Sequence, residues 1–164
     1  MTRLLIALGL ALSLAACGPD AKLAKANLDA ANSFMASNAK QPGVVTLPDG
    51  LEYKIIASGP ADGAKPRTSD EVKVHYEGKL LDGKVFDSSF ARGEPADFPV
   101  AGLVPAWVEA LQLMHPGDEW QLFVPPSLGY GDKATGPIPA NSVLIFRMRL
   151  IGVLPHPAGP VLGG

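Results

Sequence analysis

The side chains best placed to do chemistry in this chain are aromatic rings spaced along it, with one carboxylate beside them: Tyr76, Phe86, Asp87, Phe98, Trp107, Tyr130 and Phe146. Aromatics make up only 7% of the residues, so where they cluster tells more than how many there are. Two stretches carry the pattern. Val74-His75-Tyr76-Glu77-Gly78 runs on to Val85-Phe86-Asp87-Ser88-Ser89, and Leu128-Gly129-Tyr130-Gly131 is followed by Gly136-Pro137-Ile138-Pro139. Together they could line one apolar pocket with a carboxylate at its rim and a Gly/Pro-rich loop over it. Other chemistries lack their residues. His75, His115 and His156 are scattered and have no metal-ligand spacing. Ser127 and Ser142 stand in no nucleophile-elbow context, which argues against a hydrolase.

Taken singly, each member has a plainer reading. Trp107 or Phe146 alone would be ordinary core, Asp87 alone fits a turn before Ser88-Ser89, and Tyr130 alone fits a loop. The ordered set carries the pocket, and the elements around it must bring its members together.

Alternation of Val72, Val74 and Tyr76 with Lys73, His75 and Glu77 predicts a strand with one face inward. On that pattern His75 points away from Tyr76 and reads as structural. Asp82-Gly83 then signals a hairpin into Val85-Phe86. Leu47-Pro48-Asp49-Gly50 reads as a turn before a strand over 51–57, and 59–69 as loop. Residues 102–114 form the best helix, with Pro105 in its first turn and Val104, Trp107, Val108, Leu111 and Met114 on one stripe. Trp120, Leu122 and Val124, and then Leu144, Phe146, Met148 and Leu150, give two more alternating strands. Several strands, one central helix and no βαβ rhythm predict an α+β fold, an antiparallel β-sheet wrapped around one α-helix, preceded by a short N-terminal helix.

The 164 residues leave room for one domain and short extensions. With 14 Lys+Arg against 16 Asp+Glu the formal net charge is -2, which offers no footprint for nucleic acid. Arg3 and the apolar run Leu4 to Leu14 read as an export signal, too short to stay as a spanning helix. Leu14-Ala15-Ala16-Cys17 resembles the bacterial lipobox, in which the cysteine carries the lipid and becomes the first mature residue. Gly18 rather than Asp follows it, which by that resemblance points to the outer membrane, facing the periplasm. Cys17 is the only cysteine, so no internal disulfide can form. Acyl chains on it would contribute roughly 0.8 kcal/mol per buried CH2. Residues 20–40 are Ala-rich with a thin apolar face and read as a helical spacer, stopped by Gln41-Pro42-Gly43; a docking or dimerising helix is the sharper alternative.

In order and spacing the motifs resemble the FKBP family of peptidyl-prolyl cis-trans isomerases, and are similar to the bacterial macrophage infectivity potentiator-type lipoproteins. The resemblance rests on Val74-His75-Tyr76, Asp82-Gly83-Lys84-Val85-Phe86-Asp87-Ser88-Ser89, Phe98-Pro99-Val100, Leu103-Val104-Pro105-Ala106-Trp107, Tyr130-Gly131 with Ile138-Pro139, and Leu144-Ile145-Phe146. The resemblance covers the isomerase domain (46–153); the residues outside it read as a signal peptide (1–16), a lipidated N-terminus and helical spacer (17–45) and, since no periodicity follows Pro155, a disordered tail (154–164). The resemblance implies that Tyr76, Phe86, Asp87 and Tyr130 are catalytic, and that Phe98, Leu103, Val104, Trp107, Ile138 and Phe146 bind substrate. The Ile138 backbone N–H and the Tyr130 hydroxyl are expected to donate to substrate carbonyls, and Asp87 to hydrogen-bond Tyr76. Ala96 stands where some members have an aromatic ring, leaving that edge of the pocket more open.

The implied partners are proline-containing polypeptides and, in the same pocket, macrolides of the FK506 and rapamycin type, with the membrane reached through lipidated Cys17. No metal and no cofactor are expected. The potentiator-type proteins carry a much longer N-terminal helical domain, so a monomer is the expected state here. A proline-segment-binding chaperone or adaptor with little turnover is the alternative function.

Overall fold

The computed structural model describes residues 18–154. The export leader, the lipidation expected at Cys17 and the tail beyond Leu154 lie outside the described residues.

An Ala-rich stretch opens the described chain as helix α1 (Pro19–Asn38), two residues shorter at its end than the sequence predicts. Pro19 fits the first turn because no intrahelical partner is needed there, and Asp20 faces the positive end of the helix dipole. Gly43 does adopt a left-handed φ of +79°, but in the turn after the helix; the cap residue Ala39 stays right-handed.

Seven strands follow: β1 (Val44–Thr46), β2 (Glu52–Ala57), β3 (Glu71–Lys79), β4 (Val85–Ser88), β5 (Ala96–Pro99), β6 (Glu119–Val124) and β7 (Leu144–Leu154). They pair antiparallel throughout, in the order β1-β2-β6-β7-β3-β4, with β5 on β3 as well. The expected domain edge at residues 45 and 46 therefore falls inside β1, and Leu154, expected in the tail, closes β7. Three short elements escaped the periodicity argument because none is long enough to show a period: β1, β5 and the single-turn helix α2 (Ser89–Arg92).

Helix α3 (Pro105–Leu113) crosses the concave side of this sheet. Ala106, Trp107, Ala110 and Leu111 are its buried residues, two pairs one turn apart, so they share a face. That face packs on Val72, Val74 and Tyr76 of β3, Leu122 and Val124 of β6, and Leu144, Phe146, Met148 and Leu150 of β7. These are the alternate positions of each strand, as the pleat requires.

Phe123 points the other way from Leu122 and Val124, yet is buried. Helix α1 covers it: the Phe34 ring lies 6.0 Å from the Phe123 ring. Ala31 is buried on the same helix, and Asn38 donates to the buried Glu52 carboxylate at 2.7 Å. The helix expected as a spacer is thus docked on the outer face of the sheet.

On α3, Glu109 faces the Asp49 carboxyl of the turn between β1 and β2. The hydrogen bond to Asp49, then burial, then the like charge push its pKa from the ordinary 4.5 up to about 7. Burial also raises Glu52, partly offset by the hydrogen bond from Asn38. A carboxyl whose folded pKa exceeds its unfolded value binds its proton more tightly in the native chain. Its stabilisation is complete below the unfolded 4.5 and is lost as pH rises through about 7. Thermal unfolding followed by circular dichroism should therefore give a lower Tm at about pH 8 than at about pH 5. Glu109→Gln should shrink that difference; an unchanged difference would reject the shared proton.

Candidate active site

The rings predicted to form a pocket converge around Trp107, in the first turn of α3. Its indole meets Tyr76 of β3 at 5.1 Å and 78°, Phe146 of β7 at 5.2 Å and 82°, and Phe98 of β5 at 6.1 Å and 79°. All three are edge-to-face arrangements, which place a positive ring edge against a negative ring face and contribute about 0.5–1.5 kcal/mol each beyond area burial. Phe86 of β4 adds a fourth ring, edge-on to Phe146 at 5.7 Å and 88°.

Gly78 makes room for that last pair. A Cβ at Gly78 would lie 2.5 Å from Phe86 Cζ and 2.7 Å from Phe146 Cε1, so any larger residue would push the two rings out of place. The glycine stood in the predicted motif without a role; only the packing supplies one.

The cleft left open above these rings holds about 310 Å³ and is lined by Tyr76, Phe86, Asp87, Phe98, Gly102, Leu103, Val104, Trp107, Tyr130 and Phe146. Nine of the ten expected site residues in the described chain are in this wall. The tenth, Ile138, is not. Its side chain is buried, and its amide donates to the Thr135 carbonyl at 3.0 Å while its carbonyl accepts from Thr135 N–H at 2.9 Å. The donor role expected of the Ile138 N–H is corrected on that ground, because a single amide hydrogen closing a turn is already engaged. Val104 offers a better-placed donor: it lines the cleft immediately before α3, and its amide has no partner among the described residues. That amide is one of the orphan donors that every helix start leaves. The Tyr130 hydroxyl also has no hydrogen-bond partner among the described residues, and its side chain is exposed at the mouth.

A polar clamp holds one wall. Tyr76 Oη donates to Asp87 Oδ2 at 2.5 Å, as expected, and Arg92 donates both to Asp87 Oδ1 and to Tyr76 Oη, the latter at 3.1 Å. The guanidinium also lies 5.6 Å from the centre of the Tyr76 ring. Burial works to raise the Asp87 pKa, but hydrogen bonds from Tyr76 and Arg92 and the Arg92 charge outweigh it and hold the carboxyl below the ordinary 3.8. Burial and the bond to Asp87 push the Tyr76 hydroxyl above its ordinary 10.0. Asp87 is therefore a carboxylate and Tyr76 a neutral phenol whose proton points at it.

Arg92 was missed in the sequence because it sits at the end of the one-turn α2, where no period marks it. Ser89, also missed, explains why α2 is there. Along one edge of β3, β5 pairs with residues 71–74 and β4 with residues 77–79, which leaves Tyr76 between them without a strand partner. The Ser89 hydroxyl fills the gap: it accepts the Tyr76 N–H at 2.7 Å and lies 3.2 Å from the Tyr76 carbonyl. It also meets His75 Nδ1 at 3.0 Å, while the His75 ring stacks on Phe90, so His75 is structural as predicted.

The arrangement is an apolar aromatic trough with a fixed carboxylate on one rim; its unpartnered donors among the described residues are the Val104 amide, the Tyr130 hydroxyl and the buried Trp107 Nε1–H. It can take an apolar ring out of water and hydrogen-bond the backbone on either side of it.

The chain resembles known proteins in sequence and in fold. Residues 63–151 match the family model described as FKBP-type peptidyl-prolyl cis-trans isomerase, and residues 14–55 match that described as the domain amino terminal to it. The Outer membrane protein MIP of Legionella longbeachae is 49% identical over 133 residues, covering 80% of this chain and 56% of the relative. The FKBP-type 22 kDa peptidyl-prolyl cis-trans isomerase of Escherichia coli is 48% identical over 122 residues, covering 74% of this chain and 58% of the relative. The crystal structure of FkpA from Escherichia coli superposes with a TM-score of 0.79 at 40% identity, covering 83% of this chain and 63% of that one. The chain spans a little over half the length of the curated relatives it matches. With the family model covering more than half its residues, the chain belongs to the FKBP-type peptidyl-prolyl cis-trans isomerases.

Proposed function

We propose that this chain accelerates rotation about Xaa-Pro amides in polypeptides folding in the bacterial envelope. The observation that carries this reading is the Trp107-floored aromatic cleft with free donors at its mouth. The barrier to amide rotation, roughly 18–20 kcal/mol, comes from loss of resonance as the bond twists. The Xaa-Pro ground states differ by only about 0.5–1 kcal/mol, so nothing but the barrier needs lowering. No bond is broken, and no nucleophile, metal or cofactor takes part.

The prolyl ring would sit on Trp107 between Tyr76, Phe86, Phe98, Leu103, Val104 and Phe146. The planar resonance form of the amide is more polar than the twisted form. Removing water from it therefore destabilises the planar state more than the twisted one, which lowers the barrier. The Val104 amide and the Tyr130 hydroxyl would donate to the carbonyls flanking the bond. Such donors catalyse only if they hold the twisted geometry better than the planar one. Asp87, fixed by Arg92, keeps Tyr76 oriented and its proton turned away from substrate. The same trough suits the apolar rings of FK506- and rapamycin-type macrolides, which would compete with peptide. An export leader with lipidation at Cys17 would place the domain on the periplasmic side of the outer membrane; the chain would act as a monomer, with the sheet of residues 44–154, wider at each end than the expected 46–153, as the isomerase unit.

In a protease-free isomerisation assay on a short Xaa-Pro peptide, the chain should speed exchange between cis and trans. Asp87→Ala combined with Tyr130→Phe should lower kcat/KM by about tenfold or more, since each lost hydrogen bond accounts for about 0.5–1.5 kcal/mol. Peptide binding with no acceleration would make the cleft a proline-binding adaptor site instead.

The rate should also be flat between about pH 5 and about pH 9, because Asp87 titrates below this window and Tyr76 above it. A bell-shaped profile centred near neutrality would contradict the assigned protonation states. For the anchor, Cys17→Ser should move the chain from the membrane fraction to the soluble one; retention in the membrane would reject lipidation at Cys17.

A further inference from the structure

Helix α1 and the loop that carries Tyr130 are joined by a reciprocal pair of side-chain amides. Asn27, near the middle of α1, donates its Nδ2 to the Ala140 carbonyl at 2.8 Å. Asn141 donates its Nδ2 back to the Ala24 carbonyl at 3.0 Å. The two bonds bridge 113 and 117 residues of chain, and all four residues are half-buried, where water competes less for the same groups.

Asn141 is the one non-glycine residue among the described residues with a positive φ, +58°. Asparagine tolerates this left-handed conformation better than most side chains. Its consequence is local: the Asn141 backbone N–H donates to the Gly131 carbonyl at 2.8 Å, and Gly131 N–H in turn donates to the Pro126 carbonyl at 2.9 Å. Gly131 is the residue after Tyr130. An unbroken line of hydrogen bonds and one peptide unit thus leads from α1, through Asn141 and Gly131, to the tyrosine at the mouth of the cleft.

Two further facts give that line its meaning. The Tyr130 side chain is 41% exposed and its hydroxyl has no partner among the described residues, so its own contacts do not fix it. Its backbone must do so. The clasp is also not needed to hold α1 on the domain. Phe34 on Phe123 and Asn38 on Glu52 already do that at the far end of the helix, and Asn38 lies eleven residues, about 16 Å, from Asn27.

We infer that α1 braces the loop over the cleft, and that Asn27 and Asn141 are positioning residues that set where the Tyr130 hydroxyl meets the substrate. This rests on the isomerase reading above. The helix then belongs to the working enzyme and is more than a link to the membrane.

Two variants open the clasp while keeping the backbone. Asn27→Ala places a better helix former in α1, and Asn141→Gly allows the same positive φ without the side-chain amide. In the full chain each should lower kcat/KM for a short Xaa-Pro peptide about two- to tenfold, the range expected for one misplaced hydrogen bond. In a Tyr130→Phe background neither should lower it further, because the hydroxyl they position is already gone. An equal loss in both backgrounds, or no loss in either, would overturn the positioning role. Amide hydrogen exchange gives a readout independent of catalysis: the Asn141 N–H should exchange faster in Asn27→Ala than in the unmodified chain. Unchanged exchange would overturn the brace itself. Should the unmodified chain lack isomerase activity while Asn27→Ala still speeds exchange, the isomerase reading and the catalytic role drawn from it fall, and the brace stands.

Discussion

Trp107 is where the core and the cleft are one object. Helix α3 must bury an apolar face against the concave sheet, and the largest side chain on that face sits in its first turn. There the indole is met edge-on by rings from β3, β5 and β7, so strands far apart in sequence are held at fixed angles by one residue. Edge-to-face packing sets a positive ring edge against a negative ring face and is favoured over a face-to-face sandwich. The rings lining the proposed substrate trough are thus fixed by the same contacts that close the hydrophobic core. Tyr76, Trp107 and Phe146 line the trough while buried in the core, and walls already packed in this way leave a ligand less to order on binding.

The rest of the site follows from keeping Tyr76 in its place on β3. Two strands pair with the same edge of β3 and stop short of each other, and the gap between them lies at the tyrosine. An unpaired backbone N–H and C=O there would be costly, since Tyr76 is buried. The single turn Ser89–Arg92 answers both needs. Its first residue satisfies the backbone of Tyr76, and its last reaches over to the phenol and to Asp87. The Arg92–Asp87 pair is too exposed to add much stability. Its effect is orientation: it fixes the carboxylate that in turn fixes the hydroxyl.

Helix α1 shows where periodicity misleads. Its apolar face is thin and Ala-rich, which reads as a solvated spacer, yet Phe34, Ala31 and Asn38 dock it on the sheet. The signal lay in its partners and not in the helix: Phe123, an apolar residue on the solvent-facing side of β6, requires a cover, and only the fold shows which segment supplies it. The Ile138 correction has the same origin. Four residues, Thr135 to Ile138, close their own turn, and a motif match cannot tell a free amide from an engaged one. Glu109 meeting Asp49 likewise joins a turn to a helix sixty residues away, a distance no local pattern spans.

The sequence by itself determined the residue types of the trough, the alternation that sends Tyr76 and Phe146 inward, the position of α3 and the α+β class. These are local properties, set by the period of each element and by the turn chemistry between elements. Only the tertiary structure decided which amides stay free, that Arg92 completes the clamp, that Gly78 must lack a side chain, and that α1 reaches the loop of Tyr130. Each of these depends on the distance between groups far apart along the chain. Such distances arise when the sheet curls around α3, and they are written in the packing of whole elements, not in any stretch of residues.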